Sequence, residues 1–276
     1  MSSSSLVTGA DRPYLFTQAA GQIKREYGDR VSFEASPRAL LKFGRNGAVG
    51  TSLATVWQSG AANETLPTTN AIDKFSSSDD TDAVDIKIYG HTVSGTGADA
   101  VFTEVVQTVT LAGPAAETET ALTTPLARVN RVFVAGATPL VGDVYVYEDD
   151  TVVAGVPQTA AKIHAKVVAV DNQTYKAATT TSGTEYLVLS SMYVSGDRSS
   201  PTGAVIDASI EVKSPGGIFL PKVGFSVNAA DGGVNVFEFD GGIIVPKNSD
   251  VRLRVISSDA ATVVNGGFQG YYAVVL

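Results

Sequence analysis

The sequence contains no cysteine, which excludes disulfide staples and thiolate metal sites. It has only two histidines, His91 and His164, neither with a His or Cys nearby. The usual nitrogen ligands and general bases are therefore nearly missing. His91 follows a strand into a Gly/Ser turn and is expected at solvent. His164 lies in the alternating run IHAKVV and is expected on a strand face. Charge is scarce as well, at 17% of residues against a usual share of about 25%. Thr, Ser, Ala, Val and Gly fill the difference, unlike the charge-rich composition of disordered chains, so a folded protein is expected. No apolar run approaches the roughly 18 residues of a membrane-spanning helix. The start, MSSSSLVTGADRP, lacks a basic segment followed by an apolar one, so no secretory signal is read and synthesis in the cytoplasm is expected.

Catalytic signatures are similarly thin. SPGGIF (214–219) and the two DGG segments (231–233, 240–242) do not join a strand to a helix with phosphate-cradle spacing, and they read as turns. There is no G-x-S-x-G elbow. Asp79, Asp80, Asp82 and Asp85 form one acidic cluster and Glu148, Asp149 and Asp150 another. Neither has EF-hand spacing, and both read as solvated turns. A sugar-cleaving carboxylate pair normally works beside aromatic platforms, and the single Trp, Trp57, reads as a core residue. No enzyme is expected, and no catalytic, cofactor-binding or metal-binding residue is assigned.

What the sequence does have is alternation with period two. VDIKIYG (84–90), TEVVQTVTL (103–111), RVNRVFVAG (128–136) and DVYVYEDD (143–150) are rich in β-branched and aromatic residues between Gly, Pro, Asp and Ser clusters. The pattern continues through AAKIHAKVVAVD (160–171), TEYLVLSSMYVSG (184–196), AVIDASIEVK (204–213), VNVFEFDGGIIV (234–245), DVRLRVISS (250–258) and GFQGYYAVVL (267–276). NAADGG (228–233) predicts a hairpin turn, and VPKNSDVRLRV a strand, a Pro-led turn and a return strand. DVRLRV places Val251, Leu253 and Val255 inward and Arg252 and Arg254 outward. Tyr89, Tyr147 and Tyr193 are candidates to face outward. The fold class expected is all-β: a jelly-roll or β-sandwich body of two β subdomains with an extended N-terminal arm. The boundaries are 1–50 for the arm, 51–155 for the first β-sandwich domain and 156–276 for the second, with GVPQTA (155–160) as connector.

Charge is uneven. Residues 1–50 carry seven basic and four acidic side chains, a net +3, while the remainder carries a net −11. An acidic body does not suit nucleic acid. A mildly basic arm dotted with apolar anchors suits an acidic protein surface.

The ordered set KFGRNGAVGTS, ATVWQSG, VDIKIYG, TEVVQTVTLAG, RVNRVFVAG, FEFDGGIIVPKNSDVRLRV and terminal GFQGYYAVVL resembles a group of tailed-phage virion proteins, best represented in cyanophages and other marine phages, across nearly the whole chain. The resemblance implies a capsid decoration or cement protein on the outside of the virion. Its partner would be the major capsid protein, its state a homotrimer, and it would have no cofactor, nucleic acid or membrane. The arm residues expected to contact the capsid are Arg12, Phe16, Lys24, Arg25, Arg30, Phe33, Arg38, Leu40, Leu41, Phe43 and Arg45. A fibre component that binds a receptor or carbohydrate is the alternative.

Overall fold

The computed structural model describes the backbone of residues 5–7, 14–19, 22–27, 31–59, 64–196, 203–229, 233–259 and 261–275, and within these the side chains of residues 38 to 274. The fold is almost all-β, as the alternation predicts. Among the described residues the helical pieces are three single 3₁₀ turns, Gly97–Asp99, Gly113–Ala115 and Ala160–Lys162.

The N-terminal segment holds β1 (Ser5–Val7), β2 (Tyr14–Ala19), β3 (Gln22–Tyr27), β4 (Val31–Val49) and the short β5 (Ala54–Thr55). β1 to β4 form an antiparallel run within a seven-stranded sheet. The segment expected to be an extended arm up to residue 50 is therefore built into a sheet. β4 pairs with the last strand of the chain from Val49↔Thr262 to Phe33↔Val275. The glycines of KFGRNG, which look like breakers, explain the misreading. A Cβ at Gly44 would stand 2.1 Å from the Val56 carbonyl oxygen and 2.6 Å from the Ala177 nitrogen, so Gly44 is where β4 approaches another backbone closely.

The next nine strands form an N-terminal module: β6 (Ile72–Ser77), β7 (Asp85–Ser94), β8 (Val101–Thr110), β9 (Thr120–Leu126), β10 (Arg128–Val134), β11 (Val144–Glu148), β12 (Val152–Val153), β13 (Val156–Pro157) and β14 (Ile163–Val167). A three-stranded sheet in the order β10-β7-β8 and a four-stranded sheet in the order β14-β11-β6-β9 enclose one core. Ile86, Ile88 and Val132 contribute from the first sheet and Ile72, Phe75, Val144 and Val167 from the second. The register of β10 against β7 slips between Val129 and Arg131, so Val129 and Val132 are both buried, although simple alternation puts them on opposite faces.

The expected boundary at 155/156 falls inside this module. β14 is hydrogen-bonded to β11 on the far side of it. Gly155, at φ +71°, is packed so that a Cβ would lie 1.7 Å from the Ser77 carbonyl oxygen. The Gly-Val-Pro signal thus marks the β12–β13 hairpin. The buried cores separate between Val167 and Ala177 instead.

The C-terminal module comprises β15 (Ala178–Thr180), β16 (Tyr186–Gly196), β17 (Val205–Lys213), β18 (Leu220–Asn228), β19 (Asn235–Val245), β20 (Asp250–Ser257) and β21 (Thr262–Val275). The large sheet is completed by β4-β21-β16-β19. The opposing sheet runs β15-β20-β17-β18, with β5 also on β20. Leu187, Met192, Ile206, Ile210, Leu253 and Phe268 fill the core between them. Val251, Leu253 and Val255 point inward as expected. Arg252 and Arg254 do not reach open solvent: both lie against Glu211, at 2.8 and 3.5 Å. The hairpin expected at NAADGG lies partly outside the described residues. β18 and β19 stand in opposite sheets, as do β19 and β20, because β18 pairs with β17, β19 with β16, and β20 with β17.

Candidate functional site

Two features of this architecture stand out: a charged seam with a cleft between the modules, and an open edge on the C-terminal module. The seam is built from side chains that the strands present in pairs. Arg128, on β10, reaches Asp250, at the start of β20, with Nε and Nη2 at 2.7 and 3.1 Å from its two oxygens, and donates to the Pro67 and Ala127 carbonyls. Its guanidinium also lies 4.8 Å from the Phe102 ring centre. Asn248, at φ +57°, accepts from the Phe102 amide at 2.8 Å, and Gly183 donates to the Phe102 carbonyl. Lys176 is buried and satisfied by Glu64, the Val129 carbonyl (2.8 Å) and the His164 carbonyl (3.0 Å). A buried charge costs several kcal/mol unless it is paired and hydrogen-bonded, and these are.

Beside the seam lies a cleft of about 520 Å³ between β4 and the N-terminal module, with Arg38, Leu40, Lys42, Phe43, Tyr89 and Arg131 in its walls. Arg38 pairs with Glu104 (2.7 Å) and Glu185 (2.9 Å) and stacks on Tyr272. Lys42 is buried and donates to the Asn130 carbonyl at 2.5 Å. Burial, together with the nearby Lys176 and Arg131 charges, pushes its ammonium down to about 7. Burial raises the Tyr272 phenol. Thr179 faces that phenol without a well-formed hydrogen bond. Lys42 is not among the residues expected to function, though a lone cation inside the apolar run ALLKF is a signal that could have found it.

The histidines sit differently from expectation in one case. His91 is buried on β7, not at solvent, with Nδ1 3.2 Å from the Asn130 amide nitrogen and Phe102 edge-on to its ring. His164 occupies a buried strand face and meets Glu148 through Nε2 at 2.9 Å. Burial lowers both, His91 to about 4 and His164 to about 3.

The acidic clusters are structural ties. Buried Asp82 accepts from the amides of Val141 (2.8 Å) and Gly142 (3.1 Å), Asp79 caps Thr81, and Asp150 accepts from Thr159. Among the described residues no three His, Cys, Asp or Glu side chains are grouped to hold a metal. Trp57 is a buried core residue. Tyr147 is fully buried, against the outward placement, while Tyr89 and Tyr193 are half-buried.

The open edge is apolar. β18 and β19 end their respective sheets on the same side of the sandwich. Phe225 of β18 stacks on Phe237 of β19 with ring centres 5.5 Å apart, and Phe239 lies 6.0 Å from Phe237. Beside this row Val234 and Val236 are exposed by half or more and Phe237 by 42%, and toward the start of β18 Ile218 and Leu220 are exposed as well. Monomeric proteins usually blunt such edges, and an exposed apolar one is a template for contact with another chain.

Of the eleven residues expected to contact a capsid, Arg12 and Arg30 lie outside the described residues. Phe16, Lys24, Arg25 and Phe33 fall on β2, β3 and β4, with side chains outside the described set. Leu40 packs partly on the C-terminal core, Phe43 lies edge-on to Tyr175, and both line the cleft. Arg38 is held by its two carboxylates. Leu41 (60%) and Arg45 remain exposed.

No family model and no curated protein matches the chain. Among solved structures, the chain is weakly similar to the infectious bursal disease virus Gx strain, with a TM-score of 0.22 and 9% identity over 100% of this chain and 69% of that one. It is also weakly similar to the T13 particle of the same virus, with a TM-score of 0.24 and 10% identity over 99% and 68%.

Proposed function

We propose that this protein is a non-enzymatic structural component of a tailed-phage particle, a decoration protein that binds the assembled coat shell as a homotrimer and stabilises it. The observation that carries the reading is the open apolar edge of β18 and β19. It is a surface suited to protein contact, in a chain whose histidines, Lys176 and acidic clusters are occupied in holding the fold. The ordered segments that resemble phage virion proteins point to the same class.

The edge fits a second copy of the chain. Lys222 stands on β18 and Glu238 on β19, and among the described residues neither has an ion-pair partner. The β18 edge of one copy set against the β19 edge of the next brings opposite charges together around an apolar centre. Repeated around an axis, such a head-to-tail contact closes a ring. Trimerisation then multiplies weak contacts to the shell made by Leu41, Arg45 and the strands before them.

The test is co-sedimentation with empty coat-protein shells at rising protein-to-shell ratio. Saturation at a fixed copy number supports the reading, and no binding at any ratio contradicts it. A second reading, a receptor- or carbohydrate-binding fibre component, draws on the aromatic and cationic walls of the cleft. Depletion of the protein by host cells would favour it.

A further inference from the structure

We propose that the cleft between β4 and the N-terminal module is a binding site for an organic carboxylate, with Lys42 as its charged anchor and Arg131 at its mouth. The inference stands on the cleft's own geometry and does not depend on the particle assignment.

Charge is the first argument. Four cations line the cleft: Arg38, Lys42, Arg131 and Lys176. Three carboxylates answer them. Glu104 and Glu185 both bind Arg38, and Glu64 binds Lys176. With Lys42 in its ammonium form one positive charge is left over, and a bound anion favours that form. Lys42 has no carboxylate, and Arg131 meets only the Gln173 side-chain oxygen, at 3.0 Å, and the Phe133 ring. A monoanion closes the balance, whereas a phosphate dianion overshoots it.

Hydrogen bonding is the second argument. An ammonium has three donors. Lys176 next door uses all three, and Arg128 is similarly filled. Lys42, which lines the cleft, makes one hydrogen bond, to the Asn130 carbonyl, and so has donor capacity left over. A buried polar group is normally paired, and an ionised acceptor makes the strongest partner.

Size and lining are the third. About 520 Å³ lies within the usual range of small-ligand sites, roughly 300–1,000 Å³. Leu40, Phe43 and Tyr89 offer apolar wall beside the charge, which suits a carboxylate attached to a carbon chain or ring. An acidic peptide side chain and a uronic acid both have that chemistry.

Calorimetric titration of the full chain separates these sources. The probes are N-acetyl-glutamate N-methylamide and methyl glucuronide, each with its uncharged counterpart, N-acetyl-glutamine N-methylamide and methyl glucoside. Saturable binding of either acid is expected, weaker by about tenfold or more for the uncharged counterpart and for Lys42→Met, the loss of one charge-assisted contact. The acid that binds identifies the source. Because Lys42 is buried, Arg131→Gln at the exposed mouth provides the second variant, expected to weaken binding severalfold with the far-ultraviolet spectrum unchanged. Three results would overturn the proposal: no saturation by either acid below about 10 mM, equal binding of acid and uncharged counterpart, or affinity unmoved by both substitutions.

Discussion

The two modules are sandwiches of similar strands, and they finish their open sides in opposite ways. In the N-terminal module the edge strands β8 and β9 belong to different sheets, and Gln107 of β8 stitches them. Its amide donates to the Thr124 carbonyl at 2.9 Å and accepts from the Thr124 amide at 3.0 Å. The side chains left outside are mostly threonines, such as Thr103, Thr108, Thr120 and Thr123, with Pro125 on β9, and Val101 and Val106 of β8 are exposed by 42% and 47%. In the C-terminal module the corresponding edges, β18 and β19, meet through stacked phenylalanines and leave Leu220, Val234 and Val236 exposed. One module seals its edge with a polar clasp and the other leaves an apolar seam uncovered. That difference is the reason for proposing the contact surface in the second.

The largest effect expected on this comparison comes from the seam that joins the modules. Asp250→Ala strands the buried Arg128 guanidinium and is predicted to cost about 3–5 kcal/mol, measured by denaturant unfolding. Splitting of the transition into two steps would show that the seam couples the modules. A loss under about 1 kcal/mol would show that they are held together by other means.

Acid should distinguish the modules next, because both histidines, on β7 and β14, belong to the N-terminal one. They stay neutral in the folded chain down to about pH 4 for His91 and about pH 3 for His164, whereas both protonate near pH 6.5 when unfolded. Between those values the unfolded state binds more protons. The stabilising contribution is therefore complete above about pH 6.5 and is lost as pH falls toward 4, to the order of a few kcal/mol. Hydrogen exchange at pH 4.5 is predicted to show earlier opening of β7 and β14 than of β16 and β20. Uniform opening would remove the distinction. At the alkaline end the lowered Lys42 gives the reverse slope of a lysine raised by an ion pair: stability rises from about pH 7 toward the unfolded value near 10.4.

Smaller still is the clasp. Gln107→Leu leaves the Thr124 amide and carbonyl without their partner, at about 1–2 kcal/mol, and is expected to increase self-association. Light scattering before and after the substitution checks it.

Much of the strand content was legible in the sequence because alternation survives wherever one face is buried, as Val251, Leu253 and Val255 show. Three things were not. β4 reads as an arm because Gly44 serves close backbone approach, which a single sequence cannot distinguish from a break. The boundary was set too early because Gly155 and Pro157 mark a hairpin as readily as a linker. The seam was hidden because its ion pairs join distant residues, such as Arg128 with Asp250, and period two assigns charged positions to solvent. The same bias put Arg252, Arg254 and Tyr147 outside. Of the candidate site, sequence reading reached Arg38, Leu40 and Phe43 for a different role and passed over Lys42.

The central claim, that the β18–β19 edge is where copies of this chain meet, is tested most directly by sedimentation of the wild type beside Val236→Lys. Val236 is exposed, so the substitution should shift stability by no more than about 0.5 kcal/mol. The account predicts a concentration-dependent trimer mass for the wild type and a folded monomer for the variant at the same concentration. A wild type that remains monomeric at every concentration, or a variant whose mass is unchanged, would contradict it.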